Sequence, residues 1–102
     1  LAEDDPNRLL QAVLGVSMCD SDWEYAQRLC VRLSRHPHSN VRGNAILGFA
    51  HIARVHRRLD ELTVKPIVEL ALGDQDPYVV GQAIDAIMDT EHYLGWKYDQ
   101  RP

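Results

Sequence analysis

The segment SNVRGNAILGFAHIARVHR, Ser39 to Arg57, decides the fold, because part of it returns further along the chain. Val41, Gly43, Ala45 and Ile46 recur as Val79, Gly81, Ala83 and Ile84, each pair 38 residues apart. The same offset carries Leu29 onto Ile67 and Cys30 onto Val68. A fixed offset of this size, with apolar and small residues in matching places, is the signature of stacked supersecondary units.

Working outward, the spacing predicts helices and no strand. Asp4-Asp5-Pro6 is a helix start: the acids can cap free N–H groups, and proline suits the first turn because its missing N–H is not needed there. Leu9, Leu10, Val13, Leu14 and Met18 follow at helical spacing. Ser21 with Glu24 matches a capping box, and Trp23, Ala26, Leu29, Cys30 and Leu33 form the stripe behind it. His36-Pro37-His38 breaks this run, and Ser39 or Asn40 can cap the next helix. That helix is broadly apolar: Ile46, Phe49, Ala50 and Ala53 share a face that Val41, Leu47, Ile52 and Val55 widen. So wide a surface implies more than one neighbour.

Leu62, Ile67, Leu70 and Ala71 are the expected core of the fourth helix, with Pro66 placed near its first turn or bending it. Asp76 and Pro77 then offer a cap and a first position for a fifth helix, whose core is Val79, Val80, Ala83, Ile84, Ile87 and Met88. Tyr93, Leu94, Trp96 and Tyr98 either fold back over the last unit, as terminal caps do in repeat proteins, or lean against a partner. Tyr78 can join them in such an interface. The expected organisation is one domain over 1–102: a leading helix at 6–18, units at 21–57 and 60–91, and a cap at 92–102.

The bulk composition agrees. A chain of 102 residues with 45% hydrophobic and 25% charged residues is an ordinary globular domain. No apolar run reaches the roughly 18 residues a membrane span needs, and no signal-peptide pattern opens the chain. Leu1 stands where a methionine would, which reads as a trimmed fragment. Cys19 and Cys30, the two cysteines, have neither a metal nor a disulfide spacing, and read as buried thiols in a reducing, cytoplasmic setting. No cofactor motif occurs.

The segment His36-Pro37-His38-Ser39-Asn40-Val41-Arg42-Gly43-Asn44-Ala45-Ile46 resembles the turn and second helix of HEAT-like repeats, and most of all their bilin-lyase-related branch. Asp74-Gln75-Asp76-Pro77-Tyr78-Val79-Val80-Gly81-Gln82-Ala83-Ile84 is similar again, with Val80 where the first copy has Arg42. The resemblance covers roughly residues 21–91. It implies an all-α, right-handed superhelical stack of about five helices. It also implies a scaffold that most often binds proteins; a minority of relatives act on pigments, nucleic acids or modified amino acids. Small bacterial proteins of this look include immunity-type partners of toxins.

Charge is segregated along the chain. Residues 1–27 carry one basic and six acidic residues (net −5), residues 28–65 eight and two (net +6), and residues 66–102 two and seven (net −5). Arg28, Arg32 and Arg35 fall at i, i+4 and i+7, a strip suited to carboxylates or phosphates. With Arg42, Arg54, Arg57, Tyr93 and Trp96 they make the candidate binding set for an acidic protein surface. The alternative is that these arginines pair with acids of neighbouring units. The overall charge of −4 argues against nucleic acid. So small a stack also leaves room for self-association.

A second constellation is His51 with Asp85, Asp89 and His92. The repeat offset sets His51 opposite Asp89, where a hydrogen bond is the simple reading. His51 and Asp89 could otherwise serve acid–base chemistry of a pigment-lyase type, and all four residues could bind a metal. His36, His38 and His56 read as surface residues. The sequence favours a non-catalytic interaction module, with a small lyase-like enzyme or enzyme subunit as the alternative.

Overall fold

The computed structural model describes residues 5–8, 10–11 and 23–99. Helical residues 6–8 and 10–11 form the described part of α1; α2 is Trp23–Leu33, α3 Ser39–His56, α4 Glu61–Ala71 and α5 Pro77–Leu94. No strand occurs among the described residues. The calls on Leu9, Val13, Leu14, Met18, Cys19 and the Ser21 half of the capping box lie outside them.

Local chemistry sets the helix ends. The Asp5 carboxylate accepts the Arg8 N–H at 3.2 Å. Asp76 caps α5 by accepting the Tyr78 N–H at 2.8 Å, with Pro77 in the first position. At α3 the cap position belongs to His38, and Ser39 is the first helical residue, so neither Ser39 nor Asn40 caps it. Ser39 instead hydrogen-bonds Asp76, the largest influence holding that carboxyl below its ordinary range.

Helix α3 is the centre of the molecule. It packs along α5 most extensively and along α2 next; α4 lies mainly on α5 and touches α3 more lightly. The wide apolar surface of α3 is therefore used on several sides, with Val41, Ile46, Phe49, Ala50, Ile52 and Ala53 all buried. Leu47 and Val55 are exposed. The helices gather around α3, and the radius of gyration of 12.5 Å matches the ~13 Å of a compact chain of this length.

Helix α4 keeps two of its four expected core residues, Ala71 buried and Ile67 partly buried against the core. It is turned away from the expected face at Leu62 and Leu70. Val64, Val68 and Ala71 are its buried residues, while Leu62 is 89% and Leu70 79% exposed. The Leu62–Leu70 row and the Val64–Val68 row both have helical spacing, and the two valines took the core. Pro66 lies mid-helix rather than in the first turn, on the exposed side with the two leucines. There the Leu62 carbonyl that proline leaves without its usual donor is open to water.

The C-terminal tail folds back. Helix α5 continues to Leu94, three residues past the expected 91, and Gly95 closes it in the left-handed conformation (φ 70°). The Gly95 N–H donates to the Glu91 carbonyl at 3.1 Å and the Trp96 N–H to that of Thr90 at 3.3 Å. This turn lays Trp96 and Tyr98, 8% and 9% exposed, into the core. The Thr90 hydroxyl donates to the Ala86 carbonyl at 2.8 Å and sits 2.7 Å from the Tyr98 hydroxyl. Burial pushes the Tyr98 phenol up to about 12, and burial likewise pushes the Cys30 thiol up to about 12.

Candidate functional site

The buried stripe of α2, Ala26, Leu29, Cys30 and Leu33, turns the other side of that helix to solvent. Arg28 and Arg32 are exposed there, and Arg35 follows in the turn with its N–H donating to the Arg32 carbonyl at 3.3 Å. None of the three forms an ion pair among the described residues. Arg28 lies 5.9 Å from the ring centroid of the exposed Tyr25.

Between α2 and α4 lies a cleft. One part, about 530 Å³, runs past Arg28, Val31, Arg32, Arg35 and Thr63. A second part, about 400 Å³, shares Arg35 and continues over Ile46, Pro66, Ile67, Leu70 and Ala71 to the Arg42–Asp74 pair. Its lining is therefore mostly apolar, with arginines along one lip and the exposed Leu70 and Pro66 along the other. The helices meet polar-to-polar at one end, where the Asp60 N–H donates to the Gln27 side chain at 2.7 Å.

The other binding candidates have different surroundings. Arg42 holds the molecule together: Nε and Nη2 donate to the two Asp74 oxygens, each at 3.0 Å, and Nη1 donates to the carbonyls of His36 and Pro37 at 3.1 and 2.9 Å. This fork ties the turn before α3 to the turn before α5. Arg42 holds the Asp74 carboxyl below its ordinary range and is itself raised, chiefly by the same hydrogen bond. Arg54 donates to Asp89 at 3.2 Å. Arg57 lies 5.3 Å from the Tyr93 ring centroid, and the Tyr93 ring meets that of His92 edge-on at 4.6 Å. Trp96 is in the core.

Of the histidine and aspartate set, Asp89 and His92 border one shallow depression on α5. Among the described residues no group of three His, Cys, Asp or Glu side chains is placed to hold a metal ion. Asp89 is held by Arg54, and the shallow depression beside it is lined by Met88, Asp89, Glu91 and His92, all of α5, without His51. His51 is half-buried on α3. His56, expected at the surface, is buried near the end of α3; His36 and His38 stack at 5.9 Å in the turn. No described helix is long and apolar enough to cross a membrane.

The sequence reading missed the lip formed by Pro66 and Leu70. A signal was present: Pro66 breaks the backbone hydrogen bonding of whichever face it occupies, and that break is cheapest in water. Comparison of the chain with models of protein families, with curated proteins and with solved structures returns no match.

Proposed function

We propose that this chain is a short HEAT-like stack that binds an acidic, amphipathic protein segment in the cleft between α2 and α4. The observation that carries the reading is the juxtaposition of Arg28, Arg32 and Arg35, unpaired among the described residues, with an apolar cleft and the exposed Leu70. Arginines without acidic partners are suited to carboxylates from outside, and a leucine left in water gains by being covered. A helix or extended segment with apolar anchors on one side and acids on the other meets both needs. A phosphate backbone would meet only the first.

The repeat supports the scaffold half of the proposal. Helices α3 and α5 lie side by side, as second helices of successive units do, and the Arg42–Asp74 fork spans the two matching turns. Val80 stands where a second such arginine would, so that link is made once. The binding role is non-catalytic: the cleft presents charge and apolar area.

Capture from source-cell lysate, comparing the wild-type chain with Arg28→Glu/Arg32→Glu, tests the binding reading. Both substituted side chains are exposed, so the variant should melt like wild type. The expected result is one stoichiometric protein lost in the variant; capture indifferent to the charge reversal would overturn the proposal.

A further inference from the structure

We propose that the acidic outer face of α5 in a second copy of this chain occupies the α2–α4 cleft, joining copies head to tail. The proposal rests on the reading of that cleft as a protein-binding site and names its occupant.

The argument begins with the uncovered side of α5. Gly81, Asp85, Met88 and His92 fall at i, i+4, i+7 and i+11, one stripe of the helix, and all four are exposed, Met88 at 60%. On α3 the equivalent stripe is covered at Gly43 and Ala50 and exposed at Leu47 and Arg54. A Cβ on Gly43 would run into the Tyr78 ring, whereas one on Gly81 would meet nothing within 4 Å. Ala50 is buried at the position matching Met88. At Gly81 and Met88 the outer face of α5 thus leaves open what α3 covers at Gly43 and Ala50.

Its chemistry complements the cleft. Asp85 and Asp89 stand one helical turn apart, as do Arg28 and Arg32, so the two rows can meet in register at a rise of about 6 Å. Met88 lies between the aspartates as a flexible apolar anchor, opposite Val31 and Leu70. Asp85 has no ion pair among the described residues; Asp89 keeps Arg54, which leaves a second carboxylate oxygen for the cleft. The charge segregation follows the same division, with net +6 over residues 28–65 and −5 over residues 66–102. The donor and acceptor faces are different surfaces, so the contact is heterologous and each copy can add another.

Sedimentation velocity on the purified chain tests this from low micromolar to millimolar concentration, at low and high salt. The wild type should grow in mass without a plateau at the dimer, and salt should suppress the growth. Arg32→Glu and Asp85→Lys should each weaken association roughly tenfold, and the charge-swapped Arg32→Glu/Asp85→Lys chain should recover it. A plateau at the dimer, association unchanged by Asp85→Lys, or no recovery in the swapped chain overturns the proposal. A wild type that stays monomeric while lysate capture still depends on Arg28 and Arg32 removes the second copy and leaves the cleft. Capture that ignores those arginines removes both.

Discussion

Gly43 and Gly81 occupy matching positions in the repeat, yet only one of them is filled. The Tyr78 ring lies against Gly43 while its hydroxyl donates to the Asn44 side chain. Asn44 in turn donates to Asn7 at 2.9 Å, and Asn7 to Asn40 at 2.7 Å, so one polar chain links α1, α3 and α5. Gly43→Ala must displace a ring anchored at its far end, and should cost about 1–3 kcal/mol. Gly81→Ala adds a methyl to open space in mid-helix and should stabilise the chain by up to about 1 kcal/mol. Chemical denaturation of the two variants checks the pair; equal effects would show that Tyr78 does not sit on Gly43.

At the scale of elements, α4 separates what the sequence discloses from what it conceals. Periodicity places a helix there and limits its buried face to a few phases. It does not choose between the Val64–Val68 row and the Leu62–Pro66–Leu70 row, because both recur every turn. The choice is made by the shape of the α3 and α5 surfaces, which receive the shorter β-branched side chains. Val68→Ala should therefore destabilise by about 1–3 kcal/mol, and Leu62→Ala by no more than about 0.5 kcal/mol. Thermal melts of the two variants distinguish the faces, and the reverse order would restore Leu62 to the core.

The same limit governed the site. The strip at Arg28, Arg32 and Arg35 was legible from spacing alone, since the buried stripe of α2 fixes where its arginines point. For Arg42 and Trp96 the sequence offered both a partner outside and a contact within the chain, without choosing. Arg42 is engaged by a carboxylate 32 residues away, and Trp96 is turned inward by the left-handed Gly95. The pairing of Arg54 with Asp89 likewise depends on how α3 and α5 rotate against each other. A fixed repeat offset aligns positions along the chain without setting that rotation.

For the molecule as a whole, the returning tail completes the core, and Tyr98 reports on it. The folded chain holds the Tyr98 proton more tightly than the unfolded chain, with a value near 12 against an ordinary 10.0. Its contribution is therefore complete below pH 10 and is lost as pH rises towards 12. In a spectrophotometric titration a tyrosine step should appear near pH 12, and Tyr98→Phe should abolish it. The variant should also be less sensitive to alkali. A titration unchanged near pH 12 by Tyr98→Phe would place Tyr98 in water and the tail off the core.

The cleft between α2 and α4 is the feature from which function is drawn, and a photo-crosslinking amino acid at position 70 interrogates it directly. Irradiation of the full chain in source-cell extract, with the same probe at the exposed Arg58 as control, identifies what lies against the cleft. The expected product is specific to position 70, maps to an acidic segment with apolar anchors, and disappears when Arg28 and Arg32 are reversed in charge. Equal products from both positions, or a position-70 product indifferent to those arginines, would contradict the account.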